Sequence, residues 1–194
     1  MAYHHGDLRN ALLDAATTLL DDAGPTGLTL RAAARAAGVS SGAPYRHFTD
    51  RASLLAAVAV HGFEQLATEM ESGLADMADE PAPEDDRFWV VERLGRLYID
   101  HAQRFPERFR LMFGHELSRR VAHEELQEAA GKAFFMLRSA VTDAVGARDV
   151  DVATDVCWAC VHGIATLAVD GQLDDDRAGR AQRMLSHALR AAWA

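Results

Sequence analysis

The stretch LTLRAAARAAGVSSGAPYRHF, Leu28 to Phe48, decides the fold. Its first half, Thr29 to Ala37, is short and Ala-rich, with Thr29 placed to cap a helix and Arg31 in the first turn. Gly38 supplies the left-handed backbone that ends a helix sharply, and Val39 can plug the angle between two helices. Ser40 or Ser41 is expected to cap the next helix. Pro44 would break a helix interior, but counted from either serine it falls within or at the edge of the first turn, where few backbone donors have partners to lose. Ala33, Ala34 and Ala37 are small enough to let the second helix approach closely. Two short helices at a tight turn make a helix-turn-helix.

The second helix would carry Ser41, Gly42, Ala43, Tyr45, Arg46 and His47 around a slim N-terminal half, a shape that can enter a DNA major groove. An ordinary hairpin of an all-α domain would share the turn alone. The order continues, however, through Gly38-Val39-Ser40, Pro44-Tyr45-Arg46-His47-Phe48, Asp50-Arg51 and Leu54-Leu55, and as a whole it resembles the DNA-binding half of TetR-type transcriptional regulators. The expected DNA-contacting set is Thr29, Arg31, Ser40, Ser41, Gly42, Ala43, Tyr45, Arg46, His47 and Arg51. Within it Arg46, with Ser41 and Ala43, is expected to read base edges, while Thr29, Tyr45 and His47 hold phosphates. The resemblance gives Arg51 a phosphate as well.

Twenty Lys and Arg against twenty-nine Asp and Glu leave the 194-residue chain at a formal charge of −9, which argues against a generally basic nucleic-acid coat. The placement of the charge matters more than its sum, because residues 1–60 hold five Arg and five Asp and the whole excess of acid lies beyond them. A neutral DNA-facing domain on an acidic body can bind through locally placed arginines, with marked sensitivity to salt. A hydrophobic content of 49% is ordinary for a folded chain of this length. The opening MAYHHGDLRN lacks the basic-then-apolar order of a signal peptide, and no charge-free stretch reaches transmembrane length, so a cytoplasmic protein without a membrane partner is expected.

In chain order, Leu12, Ala15, Ala16, Leu19, Leu20 and Ala23 give an amphipathic helix over residues 7–23, opened by Asp7 and ended by Gly24-Pro25. Asp50 should cap a long helix containing Leu54, Leu55, Val58, Leu66, Met70, Leu74 and Met77. Asp79 to Arg87, with two prolines and five acids, reads as a solvated linker. A helix follows through Val91, Leu94, Tyr98 and Ala102 to Pro106, then a short aromatic segment, Phe109 to Phe113. Leu126, Ala130, Phe134, Leu137, Val141 and Val145 give another long helix, stopped by Gly146.

Asp151 to Leu173 is apolar on two faces: Val152, Val156, Cys160, Gly163 and Leu167 on one, and Val161, Ile164 and Ala168 on the other. Such a helix suits a core on one side and a second subunit on the other. The last helix runs from about Asp175 to Trp193. Trp158-Ala159-Cys160-Val161-His162-Gly163 and the opening Tyr3-His4-His5-Gly6-Asp7-Leu8 are similar to one subgroup of TetR regulators, whose C-terminal domain carries Trp and His-Gly at this spacing. That resemblance implies a homodimer in which the last two helices pair with their symmetry mates, setting recognition helices about 34–36 Å apart on DNA.

Two enzyme-like patterns are weak. Cys157-Trp158-Ala159-Cys160 has redox-pair spacing but lies inside an apolar helix with no flanking strands, so two small buried side chains are expected. His101, His115, His123 and His162, with Asp100, Glu116 and Glu124, offer no H-x-x-x-H pair. No Gly-rich phosphate loop or nucleophile elbow occurs, and neither catalysis nor a cofactor is expected.

The expectation is therefore an all-α protein: a three-helix DNA-binding domain over residues 1–50 and a larger helical domain for effector binding and dimerisation over 51–194. The partners would be a double-stranded operator, a second copy of the chain and a small hydrophobic effector. Trp89, Phe109, Met112, Phe113, Phe134, Leu137, Trp158 and His162 are the residues expected around that effector, each with core packing as its competing role. The competing functions are a non-enzymatic helical interaction protein and a DNA-binding regulator without an effector.

Overall fold

A computed structural model describes residues 5–79, 86–114, 117, 124–146 and 149–192. All regular structure among them is helical: α1 (His5–Gly27), α2 (Leu30–Ala36), a single-turn 3-10 helix (Ala43–Arg46), α3 (Arg51–Ala75), a second 3-10 turn (Asp76–Asp79), α4 (Trp89–Arg104), α5 (Pro106–Phe113), α6 (Glu124–Val145), α7 (Val150–Val169) and α8 (Asp175–Ala192). The predicted fold class is the observed one. The centre of the predicted linker, residues 80–85, lies outside the described residues, as do His115, Glu116, His123 and the chain up to His4.

The chain divides into two compact units. One comprises residues 1–63 and 105–129, the other 64–104 and 130–194. The first is built on α1, whose Leu12, Ala16 and Leu20 are buried and which packs against both α2 and α5. Leu28, Ala33, Ala34, Leu54, Val58, Phe109 and Met112 complete its core, each fully buried Leu or Phe contributing about 1.5–3 kcal/mol. Where α5 meets α3, Gly62 has no side chain to obstruct it: a Cβ there would lie 2.7 Å from Met112 Sδ. Arg108, buried on α5, forms a two-pronged ion pair with Asp21 of α1 while its guanidinium lies 4.2 Å from the centre of the Phe105 ring.

The second unit packs α4 against α7 and α8. Its core holds Leu66, Met70, Phe88, Val91, Leu94, Val141, Cys157, Val161 and Ala165. The end of α8 is tied down by Arg190, which reaches Asp86 Oδ2 and Glu92 Oε1, each at 2.5 Å. On α6 the buried stripe is Ala129, Ala133, Leu137, Ala140, Val141 and Ala144, rotated from the predicted one, so that Phe134 is 37% exposed. Alanine is the reason: it fits a close helix contact, and the larger apolar residues are turned partly outward.

By length and composition α7 could cross a membrane. It carries Asp151 and Asp155, however, and buries Val150, Ala153, Thr154, Cys157, Val161, Ile164 and Ala165 within its unit. The opposite face holds Val152 at 60% exposure, Val156, Cys160 and Leu167 at 47%. This is the two-faced pattern read from the sequence.

Candidate nucleic-acid interface

The turn is built by local rules. Gly24, with φ at +70°, breaks α1 just before Pro25, so the chain leaves the helix where proline would otherwise interrupt it. Thr29 has extended backbone, and its hydroxyl oxygen accepts from Ala32 N–H at 3.0 Å, the predicted N-cap of α2. Gly38, at φ +68°, closes α2, with the Val39 N–H bonded to the Ala34 carbonyl at 2.9 Å.

The predicted second helix is shorter than its sequence suggests. Ala43–Arg46 forms a 3-10 turn capped by the backbone of Gly42, and neither Ser40 nor Ser41 supplies a side-chain cap. Instead the Ser40 carbonyl accepts from Ala43 N–H at 3.0 Å, and the Pro44 carbonyl accepts from both His47 and Phe48 N–H. Pro44 lacks an N–H and its ring occupies the preceding turn, so regular helix does not extend back through it. Burial of Pro44 and Phe48 fixes the segment on the body of its unit, leaving Ser40, Ser41, Gly42, Tyr45 and Arg46 exposed and Ala43 and His47 half-buried. Thr29 and Arg31 are exposed too. Arg9 of α1 lies 5.7 Å from the centre of the Phe48 ring, adding a cation beside this segment that sequence reading missed.

Asp50 caps α3 as predicted: its carboxylate accepts from Ser53 N–H at 2.8 Å, while Asp50 N–H donates to the Ser53 hydroxyl at 3.2 Å. Arg51, the first residue of α3, is half-buried. Its Nε donates to the Leu28 carbonyl at 2.9 Å and a terminal nitrogen to the Pro25 carbonyl at 2.5 Å.

The residues expected around an effector fall into two groups. Phe109, Met112 and Phe113 belong to the first unit; Phe109 and Met112 are buried, and Phe113 meets Phe63 edge-on at 5.2 Å. Phe134, Leu137, Trp158, His162 and the half-buried Trp89 belong to the second. There Phe134 stands perpendicular to Trp158 with ring centres 6.0 Å apart, and Trp158 lies 5.9 Å from His162. Tyr98, which sequence reading placed only in a core stripe, joins them: its hydroxyl is 2.8 Å from His162 Nδ1. Burial raises the Tyr98 pKa and lowers that of His162. A depression of about 410 Å³ in the same unit is lined by Leu97, Asp100, Gln103 and Arg104, none of them among the residues expected around an effector.

The histidines considered for a metal serve other ends where they are described. His101 is fully buried with Nδ1 2.9 Å from Glu69, which also accepts from Arg104 at 2.6 Å and Gln65 at 3.0 Å. Burial pushes the Glu69 carboxyl up, but the hydrogen bonds from His101 and Gln65 and the charges of His101 and Arg104 outweigh it and hold the pKa below the usual value. Among the described residues no three His, Cys, Asp or Glu side chains form a metal-holding group. Of the cysteines only Cys157 is buried, with its thiol pushed up to about 11 by burial; Cys160 is exposed, contrary to the expectation of two buried side chains.

An exposed recognition segment on a trimmed helix-turn-helix, carried by a helical body, defines a DNA-binding regulator of transcription. Two family profiles match: bacterial regulatory proteins of the tetR family over residues 12–58, and the tetracyclin repressor-like C-terminal domain over residues 91–192. A protein of unknown function from Rhodococcus sp. RHA1 is 32% identical, with 100% of this chain and 99% of that one aligned at a TM-score of 0.82. The chain belongs to the TetR family. The fold is shared with the fatty acid degradation regulator FadR from Bacillus halodurans, at 14% identity over 94% of this chain and 96% of that one and a TM-score of 0.70. It is also shared with RolR in complex with resorcinol, at 20% identity over 94% of this chain and 87% of that one and a TM-score of 0.62. Comparison with curated proteins gave no match.

Proposed function

We propose that this TetR-family regulator is a cytoplasmic, non-enzymatic repressor that binds a palindromic operator as a homodimer and leaves it when a small apolar or aromatic effector binds. The observation that carries the reading is the recognition segment, in which Pro44 and Phe48 are buried while Tyr45, at 54% exposure, and Arg46 face outward. Residues 1–50 are assigned to DNA and 51–194 to effector and partner. Arg46, with Ser41 and Ala43, reads base edges; Thr29, Tyr45 and His47 take phosphates; Arg31, Ser40 and Gly42 flank them.

The homodimer draws support from α7. Its exposed Val152, Val156 and Leu167 lie on one face with Gly163, where an added Cβ would meet nothing of this chain within 4 Å. An apolar face with a small residue at its middle suits close packing against the same helix of a second copy. For the effector, the aromatic group Phe134, Trp158 and His162 supports a flat or apolar ligand, and RolR, of the same fold, holds resorcinol. Such a ligand acts only through a difference in affinity between DNA-competent and DNA-incompetent states.

The test is selection of sequences from random duplex DNA by the purified protein near physiological salt, with mass measured in the same preparation. A dimer enriching a palindrome with half-sites about one turn apart is expected. A monomer, or no enriched sequence at reduced salt, removes the reading.

A further inference from the structure

We propose that Arg51 serves DNA binding as a positioning residue, setting the peptide that carries Thr29, and is not itself a phosphate ligand. The inference rests on the regulator reading above and concerns how its interface is built. The position of Arg51 at the start of α3, directly after the recognition turn, suits a phosphate contact on sequence grounds. Its hydrogen bonds lead elsewhere.

The guanidinium is a rigid planar fork of five donors. Two of its nitrogens are engaged by backbone carbonyls 23 and 26 residues earlier, those of Leu28 and Pro25. The Pro25 carbonyl also accepts from Leu28 N–H at 3.3 Å, so one turn between α1 and α2 is fastened at both ends. The Leu28 carbonyl and the Thr29 N–H belong to the same trans peptide and point in opposite directions. A carbonyl aimed inward at Arg51 therefore aims the Thr29 N–H away from it. Leu28 is fully buried and Leu30 nearly so, while Thr29 between them is exposed. The Thr29 hydroxyl oxygen is taken by Ala32 N–H, which leaves its proton to be donated to a phosphate oxygen.

Arg51 thus fixes the peptide that carries the Thr29 N–H, and Ala32 N–H holds the hydroxyl beside it. A lysine keeps the charge, but its single ammonium on a flexible stem lacks the fork that spans both carbonyls. The two roles consequently separate by experiment. A residue that neutralises a phosphate contributes about 0.9 to the slope of log affinity against log salt, whereas one that only orients another group contributes to affinity at every salt concentration alike.

The duplex enriched by the wild-type protein is the probe, titrated with wild type, Arg51→Ala, Arg51→Lys, Thr29→Val and the double variant Thr29→Val/Arg51→Ala, at several salt concentrations and a temperature where circular dichroism shows each folded. Arg51→Ala is expected to bind about tenfold more weakly with an unchanged salt slope, and Arg51→Lys to recover little of the loss. Adding Thr29→Val to Arg51→Ala should cost less than Thr29→Val costs in the wild-type background. A slope lowered by about one unit in Arg51→Ala, with recovery in Arg51→Lys, overturns the inference in favour of a direct phosphate contact. Wild-type affinity in a folded Arg51→Ala overturns it in favour of a brace without influence on binding. If Arg51→Ala does not fold, Arg51→Lys decides alone, since wild-type affinity there has the same overturning force. Absence of any enriched duplex for wild type removes the regulator reading itself, and this inference with it.

Discussion

Tyr98 on α4 and His162 on α7 meet through a 2.8 Å contact between the phenol oxygen and imidazole Nδ1. Burial favours the neutral form of both, raising the pKa of Tyr98 and lowering that of His162. Trp158, one helical turn before His162, lies beside it with ring centres 5.9 Å apart.

This arrangement makes stability fall with acid. Burial lowers the folded-state pKa of His162, so between that value and the unfolded value near 6.5 the unfolded chain holds more protons. The contribution is complete above about pH 6.5 and is lost as pH falls below it. In His162→Gln, whose amide oxygen can accept from Tyr98 without titrating, the change in urea midpoint between about pH 7.5 and pH 5.5 should shrink relative to wild type. An equal pH dependence in both proteins would refute this contribution of His162.

The exposed face of α7 gives a second prediction. Val156→Asp places a charge in the middle of the stripe formed by Val152, Cys160, Gly163 and Leu167, where desolvating it against a second copy is costly. Light scattering should report a shift from dimer to monomer with helix content retained. Operator affinity should drop on the order of 100-fold as the two half-sites lose their linkage. A dimer of undiminished stability would put the interface elsewhere.

The pair Arg108 and Asp21 gives a third. Arg108 is 4% exposed, and Arg108→Met would leave the Asp21 carboxylate without its guanidinium inside the first unit. Breaking a buried pair costs about 3–5 kcal/mol, and the partial exposure of Asp21 puts the expected loss near or below the lower end, about 3 kcal/mol. Asp21→Asn/Arg108→Met should be less destabilised than the sum of the single changes, measured by urea unfolding. Strict additivity would mean that the two side chains do not act as a pair.

How far these features were legible in the sequence depends on how local their causes are. Thr29, Gly38 and Asp50 act on backbone groups within five residues, and their roles as cap, stop and cap could be read directly. The two faces of α7 were legible because both are apolar at helical spacing. The orientation of α6 was not, since its buried positions are mostly alanine, which is as common on an exposed face. Ser40 and Ser41 looked like caps, but the turn before Pro44 is closed by backbone alone. The bonds of Tyr98 with His162, 64 residues away, and of Arg51 with two carbonyls left no trace in spacing, because a tyrosine in an apolar stripe reads as core and a backbone acceptor has no side-chain signature.

Arg46 gives the last prediction. It is exposed at the end of the 3-10 turn, beside the buried Pro44 and Phe48 that hold the segment in place. A bidentate guanidinium–guanine contact discriminates against the wrong base by about 1–3 kcal/mol. Arg46→Ala should therefore weaken binding to the enriched duplex by that amount and flatten base preference at one position of each half-site. Binding to unrelated duplex should change far less. Because Arg46 makes no part of the core, its loss should leave the unfolding free energy within about 0.5 kcal/mol of wild type. Selection repeated with the variant checks both halves of the prediction: an unaltered consensus with unaltered affinity would show that another residue reads the base.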